Sequence, residues 1–184
     1  IVAEGSGVNV YPLQAAGKGH DVVMSPVSHL YLDYLQTESP NEPPGRPTTV
    51  TLRKLYDFDP VPDALAADRH HHILGVQANA WTEHMRTYAR VQHAMFPRLA
   101  ALAELGWTAE ASRSYDAFIT RLPAQLVRYR MLGIEAARTP FEVRFDATAT
   151  NDGRASVALS NATGYAEIRY TTDDTEPTPA SPRY

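Results

Sequence analysis

In this 184-residue chain Tyr31 and Asp33 stand two apart, as do Trp81 and Glu83, and each pair joins an aromatic ring to a carboxylate. In an extended segment, residues two apart point to one side, so each pair offers a ring face beside an acid. A sugar ring asks for that combination, because its axial C–H faces pack on aromatic rings while its hydroxyls donate to carboxylates. The competing reading of the same spacing is that Tyr31 and Trp81 are core aromatics and that the two acids are solvated.

Each pair leaves an apolar run. Val22-Val23-Met24 is uninterrupted, as in a strand buried on both faces, and Pro26 cannot donate to a sheet ladder, so the strand ends near Ser25. Ile73 to Ala80 predicts a second buried strand that exits into Trp81-Thr82-Glu83-His84. Between them lies the loop Pro40-Asn41-Glu42-Pro43-Pro44-Gly45. A short amphipathic helix follows over residues 48–56, with Leu52, Leu55 and Tyr56 on one face. Strand, helix and strand in that order imply a parallel sheet, and parallel α/β folds carry ligand sites just past the C-terminal ends of their strands.

Further on, Val91, Met95, Leu99 and Leu102 form one helical stripe with a kink at Pro97, and a second helix is expected from Tyr115 to Leu132, bent at Pro123 and ended by Gly133. The period then changes to two at Phe141-Val143-Phe145, Ala155-Val157-Leu159 and Ala166-Ile168-Tyr170. The turn signals Asn151-Asp152-Gly153 and Asn161-Ala162-Thr163-Gly164 separate these runs, which predicts an antiparallel meander after a boundary near Arg138-Thr139-Pro140.

Bulk properties narrow the partners. A net charge of -4 carries no basic footprint for phosphate backbones or anionic membranes, so nucleic acid and membrane are not expected as partners. No apolar run approaches the roughly 20 residues that span a bilayer. The absence of cysteine excludes disulfides and Cys-based metal or nucleophile sites and leaves the compartment open. Opening on Ile1 rather than Met, the chain is expected to be a piece of something longer.

Other candidates have simpler explanations. Arg69-His70-His71-His72 could hold a metal, but neighbours entering a strand point to alternate sides, so no metal site is expected there. Asn161-Ala162-Thr163 satisfies a glycosylation sequon, yet turn chemistry accounts for the Asn. Trp107 is expected to pack, and His84 is either a partner of Glu83 or exposed.

The segments GHDVVMSP, LYLDYLQ, LYDFDPVP, GVQANAWTEHM and MFPRLAALAELGWT, in this order from about Ala15 to Thr108, resemble the last third of the catalytic barrel of glycoside hydrolase family 20, the β-N-acetylhexosaminidases. IRYTTDDTEPTPASPRY is similar to the start of the β-rich domain that follows the barrel in many bacterial members, whereas residues 1–14 match poorly. The resemblance implies an α/β fold: the C-terminal portion of a (β/α)8 TIM barrel over residues 1–137, with its closing helices, then the start of a small antiparallel β-sandwich over 138–184. A complete barrel takes about 250 residues, so this chain supplies only part of one.

Position by position, the resemblance makes Tyr31 the donor to the substrate's acetamido oxygen, Trp81 the wall packed on the sugar, and Asp33 and Glu83 acceptors for its outer hydroxyls. It implies removal of terminal N-acetylglucosamine or N-acetylgalactosamine from oligosaccharides with retention. The 2-acetamido oxygen acts as nucleophile, and no cofactor is needed. The family's Asp-Glu pair, which supplies the general acid, has no counterpart, since no Asp-Glu dipeptide occurs in the chain. The expected partner is therefore an N-acetylhexosamine oligosaccharide, together with the remainder of the same enzyme. The resemblance also points to a periplasmic or secreted protein. A non-catalytic carbohydrate-binding or structural fragment is the alternative.

Overall fold

The computed structural model describes residues 2–3 and 10–184, which form two compact units, Ile1–Thr139 and Pro140–Tyr184. In the first unit the order is β1 (Val2–Ala3), α1 (Val10–Gly17), β2 (Val22–Met24), α2 (Val27–Leu30), β3 (Tyr34–Leu35), β4 (Arg46–Thr49), α3 (Leu52–Tyr56), β5 (Ile73–Val76), α4 (Tyr88–Met95), α5 (Arg98–Trp107) and α6 (Tyr115–Met131). Strands β1, β2 and β5 form one parallel sheet in that spatial order, and β3 and β4 form a second parallel pair. The unit is α/β.

Val22 and Met24 are fully buried, as an apolar run in a central strand should be. Strand β5 differs from the expected second buried strand. It is shorter, ending at Val76, and Leu74 is exposed, because β5 lies at the edge of the described sheet. The expected helix over 48–56 divides into β4 and α3. Thr51 caps α3, its side chain accepting from Lys54 N at 3.0 Å, so the helix cannot begin at Thr48. The stripe from Val91 to Leu102 divides at Phe96-Pro97 into α4 and α5. Helix α6 runs through Pro123.

The helices close over a core that includes Leu30, Leu32, Val50, Leu52, Leu55, Ala101 and Leu122. Tyr56 packs against Tyr115 and Phe118, at ring separations of 5.3 and 5.1 Å, while its hydroxyl donates to Glu104 at 2.8 Å. No helix among the described residues is long and apolar enough to cross a membrane.

The second unit contains an antiparallel hairpin, β6 (Arg144–Ala149) with β7 (Ala155–Ser160), in register from Arg144 opposite Ser160 to Ala149 opposite Ala155. Its turn carries Gly153 at φ 78°, a left-handed position that glycine adopts without strain. The third run of the expected meander is not a strand. Ala166 adopts φ 63°, which interrupts the extended chain, and only an isolated bridge between Arg169 and Arg183 follows. The sequon asparagine is consumed locally: Asn161 Oδ1 accepts from Thr163 N, Thr163 Oγ1 and Tyr165 N at 3.0–3.1 Å, and its Nδ2 donates to the Tyr165 carbonyl at 2.8 Å.

Candidate active site

The parallel pairing of β2 with β5 continues past the ends of both strands. Gln77 N donates to the Met24 carbonyl at 2.9 Å, Asn79 N to Leu30 O at 2.9 Å, and Leu32 N to Asn79 O at 2.7 Å, which places Tyr31 and Asn79 in a parallel bridge. The Asn79 side chain fastens the same junction, its Nδ2 donating to the Oγ of buried Ser25 at 2.9 Å. Two strand exits far apart in sequence are thereby held side by side.

That backbone seam sets the aromatic residues. Tyr31 follows α2 directly and Trp81 lies two residues past Asn79, and their ring centroids stand 6.5 Å apart. Tyr34 adds a third ring, edge-on to Tyr31 at 6.4 Å. Trp81 is 46% exposed, so its face is open to a ligand rather than sealed in the core.

The carboxylates do not occupy extended segments. Asp33 lies in a turn before β3, and Glu83 in a 3-10 turn over Thr82–His84. Arg46, the first residue of β4, joins them: its Nε lies 2.7 Å from Asp33 Oδ2, and its Nη2 donates to Glu83 Oε1 at 3.3 Å. The guanidinium also lies over the Tyr34 ring, 5.9 Å from its centroid. Asp33 above all raises the Arg46 pKa, against the opposing effect of desolvation, and Glu83 adds to the rise. Asp33 is only 1% exposed, whereas the side chains of Arg46 and Glu83 are 41% and 57% exposed.

Three supports hold this arrangement from below. At Gly45 the backbone passes so close to Asp33 that a Cβ would stand 3.1 Å from the Asp33 carbonyl oxygen and 3.0 Å from Leu35 Cδ2, and the next residue, Arg46, donates its N–H to that same carbonyl. Arg90 donates to the Pro44 carbonyl at 3.0 Å. Glu42, in the same loop, accepts from Gln36 N, Thr37 Oγ1 and Thr139 Oγ1 and faces His93 Nε2 at 3.4 Å.

The chain matches the model of the glycosyl hydrolase family 20 catalytic domain over residues 7–110. It is 36% identical over 177 residues to a β-hexosaminidase of Porphyromonas gingivalis, covering 94% of this chain and 22% of that protein. The chain belongs to glycoside hydrolase family 20. A Cellulomonas fimi β-N-acetylhexosaminidase is 36% identical over 114 residues, covering 59% of this chain and 22% of the relative, so this family-20 chain spans about a fifth of these relatives' length. Among solved structures, a family-20 exo-β-N-acetylglucosaminidase of Vibrio harveyi in complex with N-acetylglucosamine superposes with a TM-score of 0.67 at 30% identity, over 74% of this chain and 22% of that one. The β-N-acetylhexosaminidase of Streptomyces coelicolor gives 0.65 at 28% identity, over 76% and 29%. Residues 157–184 match a second model, Fn3 associated.

In this family-20 chain the structure brings Tyr31 to Trp81 directly and Asp33 to Glu83 through Arg46. Arg46 and Asn79 escaped the sequence reading. Arg46 stands in a Pro/Gly-rich stretch with no periodicity, and Asn79 lies inside an apparent strand. The three histidines lie in a 3-10 turn over Ala67–His72 rather than in an extended strand entry. His72 Nδ1 there pairs with Asp21 at 2.9 Å, and His70 Nε2 with the Leu65 carbonyl at 2.9 Å. Trp107 does not pack: it ends α5 and is 92% exposed, while Ala101 and Leu105 form that helix's buried side. His84 is exposed.

Proposed function

We propose that residues 1–137 are the C-terminal portion of the (β/α)8 catalytic barrel of a β-N-acetylhexosaminidase, and that residues 138–184 begin a β-sandwich domain. The observation that carries the reading is the Tyr31–Trp81 ring pair beside carboxylates joined by Arg46, the rings and carboxylates lying past the C-terminal ends of parallel β2 and β5, within a chain that matches the family-20 catalytic domain. The relatives' names and the N-acetylglucosamine of the V. harveyi structure favour a terminal N-acetylhexosamine as the sugar.

In this mechanism Trp81 packs on one face of the sugar and the Tyr31 hydroxyl donates to the acetamido oxygen. That oxygen attacks the anomeric carbon as the glycosidic bond breaks, giving a cyclic intermediate that water opens with net retention. The donor steadies the acetamido group in the attacking position, where the charge on it changes most. Glu83 and Asp33 serve the outer hydroxyls of the sugar. The acid that protonates the leaving group lies outside this chain.

The test uses the full-length protein that carries this chain and a chromogenic β-N-acetylglucosaminide, with the anomer first released followed by NMR. Hydrolysis giving the β-anomer first is expected. The 184-residue chain alone should turn over more slowly than the full-length protein by about 10²-fold or more, the contribution of one positioned general acid. Inversion, or equal turnover by the isolated chain, would overturn the reading. Sugar binding without any turnover by the full-length protein would favour a non-catalytic carbohydrate-binding module.

A further inference from the structure

Between buried Ser25, just past β2, and Tyr31 stand Pro26 and the single helical turn α2, and Pro26 gives that turn no side-chain cap. One turn is too short to hold its own orientation, so the direction in which it delivers Tyr31 is set from outside. Asn79 sets it at both ends. Before the turn, its side-chain Nδ2 donates to Ser25 Oγ at 2.9 Å. After it, on either side of Tyr31, its backbone N donates to the Leu30 carbonyl at 2.9 Å and its carbonyl accepts from Leu32 N at 2.7 Å. Gln77 Nε2 donates to Asn79 Oδ1 at 3.0 Å, which leaves the amide NH2 to face Ser25. Trp81 follows Asn79 by two residues, its ring 6.5 Å from that of Tyr31 with the planes at 44°.

Resting on the glycosidase reading above, we infer that Asn79 is a positioning residue for catalysis: its hydrogen bond to Ser25 fixes the Tyr31 hydroxyl relative to the Trp81 wall. A sugar packed on Trp81 has its acetamido group placed by that wall, whereas the donor to the group comes from the other strand exit. The two exits must agree to within about 0.5 Å for the acetamido oxygen to meet both its donor and the anomeric carbon. The two backbone bonds of Asn79 lie at one end of α2 and act as a hinge. The side-chain bond at the other end restrains the tilt that the hinge allows. Asp33 is anchored separately, since Arg98 donates to the carbonyls of Leu32 and Tyr34 on either side of it. Loosening the Asn79–Ser25 bond therefore falls on the step in which the acetamido oxygen attacks, and spares the hold that Trp81, Asp33 and Glu83 have on the ground state. In this role Asn79 and Ser25 touch neither the sugar nor the reacting atoms.

The test measures kcat and KM of the full-length protein on a chromogenic β-N-acetylglucosaminide. The variants are Ser25→Ala, Asn79→Ala and the two together, each made in wild type and again in a Tyr31→Phe background. Either single variant should lower kcat by about 10-fold, within the reach of a small misplacement of a reacting group, and move KM by less than about 3-fold. The double variant should lose little more than either one, because the two residues share one bond. In the Tyr31→Phe background there is no hydroxyl left to position, so Ser25→Ala and Asn79→Ala should each cost about 2-fold or less. A smaller folded fraction lowers kcat by the same factor in both backgrounds and cannot imitate this pattern. Equal losses in the two backgrounds would make the pair merely structural and overturn the inference. So would an unchanged kcat in Ser25→Ala, or losses confined to KM. Wild-type protein inert on the glycoside would instead overturn the glycosidase reading, and Tyr31→Phe as active as wild type would overturn the role of Tyr31, the inference falling with either.

Discussion

Arg98 donates through its Nη2 to the Leu32 carbonyl at 2.6 Å, across 66 positions of chain. Its Nη1 donates to the carbonyls of Tyr34 and Val50, at 3.1 and 2.9 Å. Leu32 and Tyr34 flank Asp33, so one fully buried guanidinium fixes the backbone on both sides of the acid that pairs with Arg46. Burial pushes the Arg98 pKa down to about 9, with Glu42 and Asp33 opposing the fall and Arg90 adding to it. At neutral pH the group remains a cation.

Replacing Arg98 with Met should therefore lower the unfolding free energy by about 3 kcal/mol or more, because several buried carbonyls lose their donor at once. Lys should not restore it, since a point charge cannot serve carbonyls spread around a planar fork. Urea denaturation of the variants checks both statements. A loss below about 1 kcal/mol for Met would show that these carbonyls find other donors.

Glu42 makes acid sensitivity specific. Burial raises its pKa, but hydrogen bonds from His93, Thr139 and Gln36 N together outweigh burial and hold it below the usual carboxylate range. A carboxyl with a depressed folded value contributes stability that is present above its unfolded value, about 4.3, and is lost as pH falls through the folded one. Glu42→Gln should melt below wild type at pH 7, and the difference should close on acidification below about pH 4. Melting temperatures across pH 3 to 7 decide it; a gap that stays constant would mean the charge of Glu42 contributes nothing.

At Gly45 even one methyl group has no room. Ala should destabilise the first unit by about 1–3 kcal/mol through overpacking against the Asp33 carbonyl and Leu35. In the full-length protein it should also raise KM, since the crowded backbone is that of Asp33. Denaturation midpoints and steady-state kinetics on the same preparation test the two effects separately.

Tyr31 and Glu83 should separate kinetically in the full-length protein. Tyr31→Phe removes a donor whose bond strengthens in the transition state, so kcat should fall by about 10²-fold with little change in KM. Glu83→Gln should mainly raise KM, as expected for an acceptor that holds the ground state and the transition state alike. The reverse pattern in the two variants would refute both assignments.

Residue order alone carries the local structure here. The apolar run Val22–Met24, the break at Ser25-Pro26, the helix from Tyr115 and the turn at Asn151-Asp152-Gly153 each follow from neighbours within a few positions, because backbone hydrogen bonding and side-chain periodicity are short-range. Similarity to the family likewise resides in linked local motifs. Where those local rules predicted too much strand, at Ile73–Ala80 and at Ala166–Tyr170, the result turned on which neighbour the segment pairs with, and no segment contains that information by itself. The ion pairs of Arg46 with Asp33 and Glu83, the Asn79–Ser25 hydrogen bond and the Arg98 anchor join residues 13 to 66 positions apart. Polar contacts of that kind have no period. They exist only once the strands are set side by side, so the tertiary structure alone decided that Asp33 lies buried and that a guanidinium stands in front of it.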